Sequence, residues 1–114
     1  MPRRDWRLCI EDILESIVKI QRYTEGIAFE TFAADEMRID AVVRNITIIG
    51  EASGAISAEI QERYPQIPWG DMKAMRNVVV HKYFGISLSI LWETVEQDLS
   101  PLIAMLKDIL ESYE

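Results

Sequence analysis

An arginine, a carboxamide, an imidazole and a phenol fall within the eight residues Arg76-Asn77-Val78-Val79-Val80-His81-Lys82-Tyr83, and His81 is the one histidine of the chain. An imidazole with an unperturbed pKa of about 6.5 can give or take a proton at neutral pH. A guanidinium offers a rigid cationic fork that fits phosphate oxygens. Asn77 can orient the imidazole or donate to a substrate oxygen. No aspartate or glutamate occurs from Met72 to Trp92, although Asp and Glu outnumber Lys and Arg by 19 to 12 in the whole chain. An acid-free, cation-bearing stretch in an acidic protein points to an anion site, with phosphate as the first candidate.

These groups suit metal-independent cleavage of RNA. His81 would handle the proton of the 2′-hydroxyl or of the leaving oxygen, while Arg76 stabilises the charge that builds up on the phosphate. RNA rather than DNA follows because the 2′-hydroxyl is the internal nucleophile. One histidine per chain is thin for proton transfer at both oxygens, so a homodimer with two copies of the motif across a shared groove is expected. The plain alternative is that Arg76 is a surface charge and His81 a helix-end residue favoured by the dipole. The short Arg-x4-His spacing alone does not separate the two. Metal chemistry has less support: no paired Glu-x-x-His elements occur, and Cys9 with His81 cannot complete a zinc shell. No phosphate-binding glycine loop or Ser-His-Asp arrangement is legible either.

Four main helices and a short connector must position these residues, which predicts an all-α, up-and-down bundle forming one domain over residues 1–114. The first helix runs from about Arg3 to Glu25, with Trp6, Ile10, Ile13, Leu14, Ile17, Val18 and Ile20 as its apolar stripe and Gly26 as its terminator. Phe29–Phe32 is a connector of about one helical turn. Asp35 caps a long helix reaching about Arg63, with Ile39, Val42, Val43, Ile46, Ile49, Ala52, Ile56 and Ile60 buried. Its middle is small (Gly50, Ala52, Ser53, Gly54, Ala55), so another helix can approach closely there. Pro65 and Pro68 end it. A third helix starts near Trp69 or Gly70 and carries the motif. Gly85 breaks it, and Ser87 begins a last helix whose apolar spacing survives across Pro101 to Tyr113, so that Pro101 kinks it.

At about 100° per residue, Met72, Met75, Val78 and Val79 share one side of the third helix, and Lys73, Arg76, Asn77, Val80 and His81 share the other. Asn77 and His81 are neighbours one turn apart, and Tyr83 lies nearly in line with Arg76. Lys73 and Glu51 are candidate supporting residues. Glu51 either orients Arg76 or is a plain surface or interface charge. Trp69 and Trp92 read as core or interface anchors rather than base-stacking platforms. Arg3, Arg4 and Arg7 could touch an RNA backbone, though a solvated first turn is the plainer reading.

A formal net charge of −7 argues against wrapping duplex nucleic acid but leaves room for a small cleft with a positive local field. The lone Cys9 forms no intrachain disulfide and fits a reducing compartment as a small core residue. Neither a signal-peptide apolar core near Met1–Trp6 nor a membrane-spanning run can be read, so a cytoplasmic location with no membrane partner is expected. The residues imply no cofactor.

Arg76-Asn77-x-x-x-His81-x-Tyr83 resembles the Arg-x4-His-x-Tyr signature of HepT-like toxins, a branch of the HEPN superfamily. Ile49-Gly50-Glu51-Ala52, Pro68-Trp69 with Met72 and Met75, Trp92, and Tyr23-Thr24-Glu25-Gly26 extend the likeness over essentially the whole chain. The resemblance implies a helical HEPN domain that dimerises, with the motif helices meeting at a cleft. It further implies an endoribonuclease toxin paired with a minimal nucleotidyltransferase (MNT) antitoxin. Carried over by position, Arg76 and His81 are catalytic, Asn77 is the polar residue after the arginine, and Tyr83 is the hydroxyl that accepts AMP. The competing expectation is a non-catalytic helical subunit that binds and positions such a nucleotidyltransferase, which the −7 charge fits equally well.

Overall fold

The computed structural model describes residues 5–82 and 88–112, except for the side chains of residues 78–82. Helix α1 spans Trp6–Thr24. It starts later than the expected Arg3 because the Asp5 carboxylate accepts the Arg7 backbone N–H at 2.9 Å, which satisfies one of the orphan donors of a helix start. Cys9, Ile10, Ile13, Ile17 and Ile20 are buried along it. Val18, expected in the stripe, is 50% exposed, since one residue past Ile17 lies about 100° around the helix. Gly26 ends the segment with φ of +74°, a left-handed conformation that suits a residue without Cβ.

Helix α2 (Phe29–Ala33) is the expected connector. Its Phe32 is fully buried, and Phe29 and Phe32 pack on the Trp92 ring at centroid distances of 6.0 and 5.0 Å. Helix α3 (Glu36–Ala55) opens on Asp35, whose carboxylate accepts from the Arg38 backbone N–H at 3.0 Å and from its Nε at 3.1 Å. Arg38 also donates to the Tyr23 carbonyl, tying the start of α3 to the end of α1. The expected single helix to Arg63 is in fact two. The backbone becomes extended at Ile56, and the Ser57 hydroxyl caps a new helix α4 (Ala58–Arg63) by accepting from Ile60 N. The Gln61 amide donates to the Ile56 carbonyl at 3.0 Å, which satisfies an acceptor freed by the break. Ile56 and Ile60 stay buried across it, so the apolar spacing did not betray the interruption.

The Pro65–Pro68 stretch turns the chain, and the Trp69 indole N–H donates back to the Tyr64 carbonyl at 3.0 Å. Helix α5 then spans Trp69–Lys82. After it come α6 (Leu88–Glu93), one π-helical turn (Thr94–Asp98) and α7 (Ser100–Ser112). The distortion that the sequence assigns to Pro101 therefore begins before the proline. Pro101 has no N–H to give and its ring crowds the carbonyl four residues back; a wider π turn moves that carbonyl and leaves Pro101 in the first turn of α7, where no donor is needed. Leu91, Val95, Leu99, Leu102, Leu106 and Ile109 remain buried through this change of pitch. The expected roles of Arg3, Arg4, Gly85, Ser87 and Tyr113 lie outside the described residues.

The fold is an all-α bundle, with no strand among the described residues. Helix α3 is its centre: α1 packs along it, α5 packs along it, and α7 closes against α1 while α2 bridges α3 and α6. Cys9 sits in this core. No helix among the described residues is long and apolar enough to cross a membrane.

Two consequences can be measured. Ile46 is completely buried in the centre of α3, so Ile46→Ala should lower unfolding free energy by about 2–5 kcal/mol in urea titrations followed by circular dichroism. The backbone N–H of Arg38, and then its side chain, hold the Asp35 carboxyl below its ordinary value of 3.8. A carboxylate lowered on folding stabilises above its unfolded pKa and loses that effect as pH falls through its folded pKa. Asp35→Ala should therefore lower the melting temperature at neutral pH, and the gap to the wild-type protein should narrow once pH drops below 3.8.

Candidate active site on helix α5

Helix α5 separates its two faces as the 100° step requires. Met72 and Met75 are buried at 0% and 6% exposure, whereas Lys73, Arg76 and Asn77 are exposed. Trp69, buried and tethered to Tyr64, anchors the start of the helix in the core. The methionines hold it down, and the polar residues project on the other side. Trp69 and Trp92 are thus packing residues in this structure, as their composition suggests.

The helical backbone continues through Lys82, so position 81 stands one turn beyond Asn77. The side chains of Val78, Val79, Val80 and His81 lie outside the described residues, as does the whole of Tyr83. The structure accordingly brings together Lys73, Arg76 and Asn77 out of the sequence-derived set. With Gly70 and Ala74 these three line a shallow open hollow of about 360 Å³. Among the described residues, Arg76 makes no ion pair, so no carboxylate neutralises its guanidinium. An unpaired, solvent-facing guanidinium next to an ammonium and a carboxamide is an arrangement that attracts a phosphate.

The neighbour that shapes Arg76 comes from α3. A Cβ built on Gly50 would stand 2.3 Å from Arg76 Cγ, 3.1 Å from its Cδ and 3.2 Å from its Cβ. The aliphatic stem of the arginine therefore lies directly on the glycine. One turn further along α3, a Cβ on Gly54 would meet Lys73 Cε at an ordinary 3.8 Å. The small centre of α3 was readable as a place of close approach; that the approaching group is the stem of Arg76 was not. Glu51, beside Gly50, is exposed and forms no ion pair with Arg76 among the described residues.

A second hollow of about 380 Å³ opens between α5 and the π turn, with Asp71, Met75, Gln97, Asp98 and Met105 among its walls. It is better enclosed but carries two carboxylates and no cation, the wrong charge for an RNA phosphate. The shallower hollow beside Arg76 is the one that matches the chemistry. Among the described residues, no group of three or more His, Cys, Asp or Glu side chains is placed to hold a metal ion. Arg7 pairs with Asp5 at 2.8 Å, in keeping with a solvated first turn.

Comparison with known proteins bears on this site. The sequence pattern of the family described as "Ribonuclease HepT-like" matches residues 13–109. A Methanocaldococcus jannaschii protein named "Putative RNase MJ1380" is 39% identical over 99 residues, covering 87% of this chain and 91% of that protein. "Probable ribonuclease HepT" of Thermococcus cleftensis is 40% identical over 100 residues, covering 88% and 91% respectively. "Putative RNase TTE0752" of Caldanaerobacter subterraneus is 34% identical over 102 residues, with 90% and 91% covered. No solved structure matches the chain significantly. The matched span takes in the core of α1, the glycine-bearing helix α3 and the whole of α5, and on this footing the chain belongs to the HepT-like ribonuclease family.

Proposed function

We propose that this ribonuclease is the toxin of a toxin–antitoxin module and cleaves RNA internally without a metal ion, using Arg76 and His81. The observation that carries the reading is the exposed Arg76, free of any described carboxylate, on the acid-free face of a helix that continues through position 81. In the reaction His81 takes the proton of the ribose 2′-hydroxyl, and the 2′-oxygen attacks the adjacent phosphorus. The bond to the 5′-oxygen breaks, and that oxygen leaves with a proton from an imidazolium or water. The products are a 2′,3′-cyclic phosphate and a free 5′-hydroxyl. Arg76 faces the phosphate oxygens where negative charge accumulates, and Asn77 orients the imidazole or donates to the same oxygens. Lys73, three residues before Arg76 on the same exposed face, draws in the RNA backbone.

Two copies of the chain bring two such motifs to a shared cleft, so the homodimer supplies the second imidazole that separate acid and base roles call for. Control falls on Tyr83, two residues past His81. A minimal nucleotidyltransferase antitoxin transfers AMP to its hydroxyl, and the added anionic nucleotide opposes the charge of an incoming RNA and obstructs its path.

His81→Ala should lower the cleavage rate of a labelled RNA by roughly 10²–10⁴-fold, with helical circular dichroism unchanged and with the wild-type rate insensitive to chelator. Retention of full cleavage by the purified variant would remove His81 from the mechanism. Co-expression with the nucleotidyltransferase should add the mass of one AMP moiety to the intact protein, and Tyr83→Phe should abolish the adduct. An unmodified wild-type mass would reject control by this route.

A further inference from the structure

Gly50 lies in the interior of α3, buried, at a position where glycine weakens a helix relative to alanine. Its use there calls for a compensating need, and the geometry points to one: we propose that Gly50 is a positioning residue that sets the direction of the Arg76 guanidinium. The proposal rests on the reading of Arg76 as a catalytic group.

The stem of Arg76 lies against the backbone surface that a Cβ on Gly50 would fill, 2.3 Å from its Cγ. Retreat to an ordinary contact beyond 3.4 Å would move that carbon by about 1 Å, and the contacts to Arg76 Cδ and Cβ are tight as well. Three stem carbons face the same wall, so the choice of stem rotamers is restricted from one side. Nothing else among the described residues directs the arginine: it makes no ion pair, and its head is exposed. The contact with Gly50 is therefore what orders an otherwise mobile side chain before substrate arrives. Such preorganisation matters most for a group acting on charge that develops in the transition state, where a misplacement of about 1 Å can cost on the order of 10²-fold in rate.

Gly54 provides an internal comparison. It occupies the same helix one turn later, and an alanine Cβ there meets Lys73 only at 3.8 Å, an ordinary contact. The same substitution at the two glycines removes the same backbone freedom but intrudes on a side chain only at position 50.

The test uses the full-length protein and single-turnover cleavage of a labelled RNA. Gly50→Ala should slow cleavage by roughly 10–10²-fold with the helical spectrum retained, and Gly54→Ala should cleave within about twofold of wild type. Arg76→Ala should lower the rate by roughly 10²–10³-fold. Adding Gly50→Ala to that variant should change the residual rate by less than about twofold, because the group being positioned is already gone. A further fall as large as in the Arg76 protein would make Gly50 a merely structural position and overturn the proposal, as would equal losses at positions 50 and 54. If Arg76→Ala cleaves normally, the catalytic reading of Arg76 fails and the proposal with it. If Arg76→Ala is inactive while Gly50→Ala is fully active, the positioning role alone fails. Should Gly50→Ala not fold, nuclear Overhauser contacts between Gly50 Hα and Arg76 Hγ in the wild-type protein decide: they are expected, and their absence overturns the assignment.

Discussion

The close approach of α5 to α3 governs the rest of the molecule. Helix α3 is enclosed by α1 and α5, and its isoleucines and valines supply much of the core. Gly50 and Gly54 bear no side chain, and the stems of Arg76 and Lys73 lie over them. Without that relief, an arginine facing a packed helix would have to swing away or hold the helices apart. With it, α5 can bury Met72 and Met75 while Arg76 remains on the surface with its stem supported. A core contact and the geometry of the site are thus one feature.

Electrostatics follow from the same arrangement. The chain is acidic overall, yet the field felt by a bound phosphate is set by nearby groups, because charges further away than a Debye length are largely screened. On α5 the residues after Asp71 present Lys73, Arg76 and Asn77 to solvent and no carboxylate. The carboxylates of Asp71 and Asp98 belong to the other hollow, against the π turn. A local positive surface on an acidic protein suits an enzyme that must select a phosphodiester without coating itself in nucleic acid.

The second half of the chain shows how apolar spacing can conceal irregular backbone. Leu91, Val95, Leu99 and Leu102 stay buried through a π turn, and Ile56 and Ile60 stay buried across the break between α3 and α4. Burial constrains where side chains end up, and more than one backbone path can deliver them there. For that reason the spacing alone predicts two uninterrupted helices and assigns to Pro101 a distortion that begins seven residues earlier, at Thr94. Single polar groups marked the interruptions: the Ser57 hydroxyl as a cap, and Thr94, which donates to the Ile90 carbonyl at 3.1 Å.

The helix start at Asp35, the stop at Gly26, the turn at Pro65–Pro68 and the two faces of α5 all depend on residues within a turn or two of one another. Capping, proline geometry and the 3.6-residue period are local physics, so they could be read from order alone. So could the cation-rich, acid-free motif. The partner of Arg76 could not. Which residue of α3 lies beneath it depends on where two helices cross, and that crossing is set by the summed packing of α1, α3 and α5 rather than by any short segment.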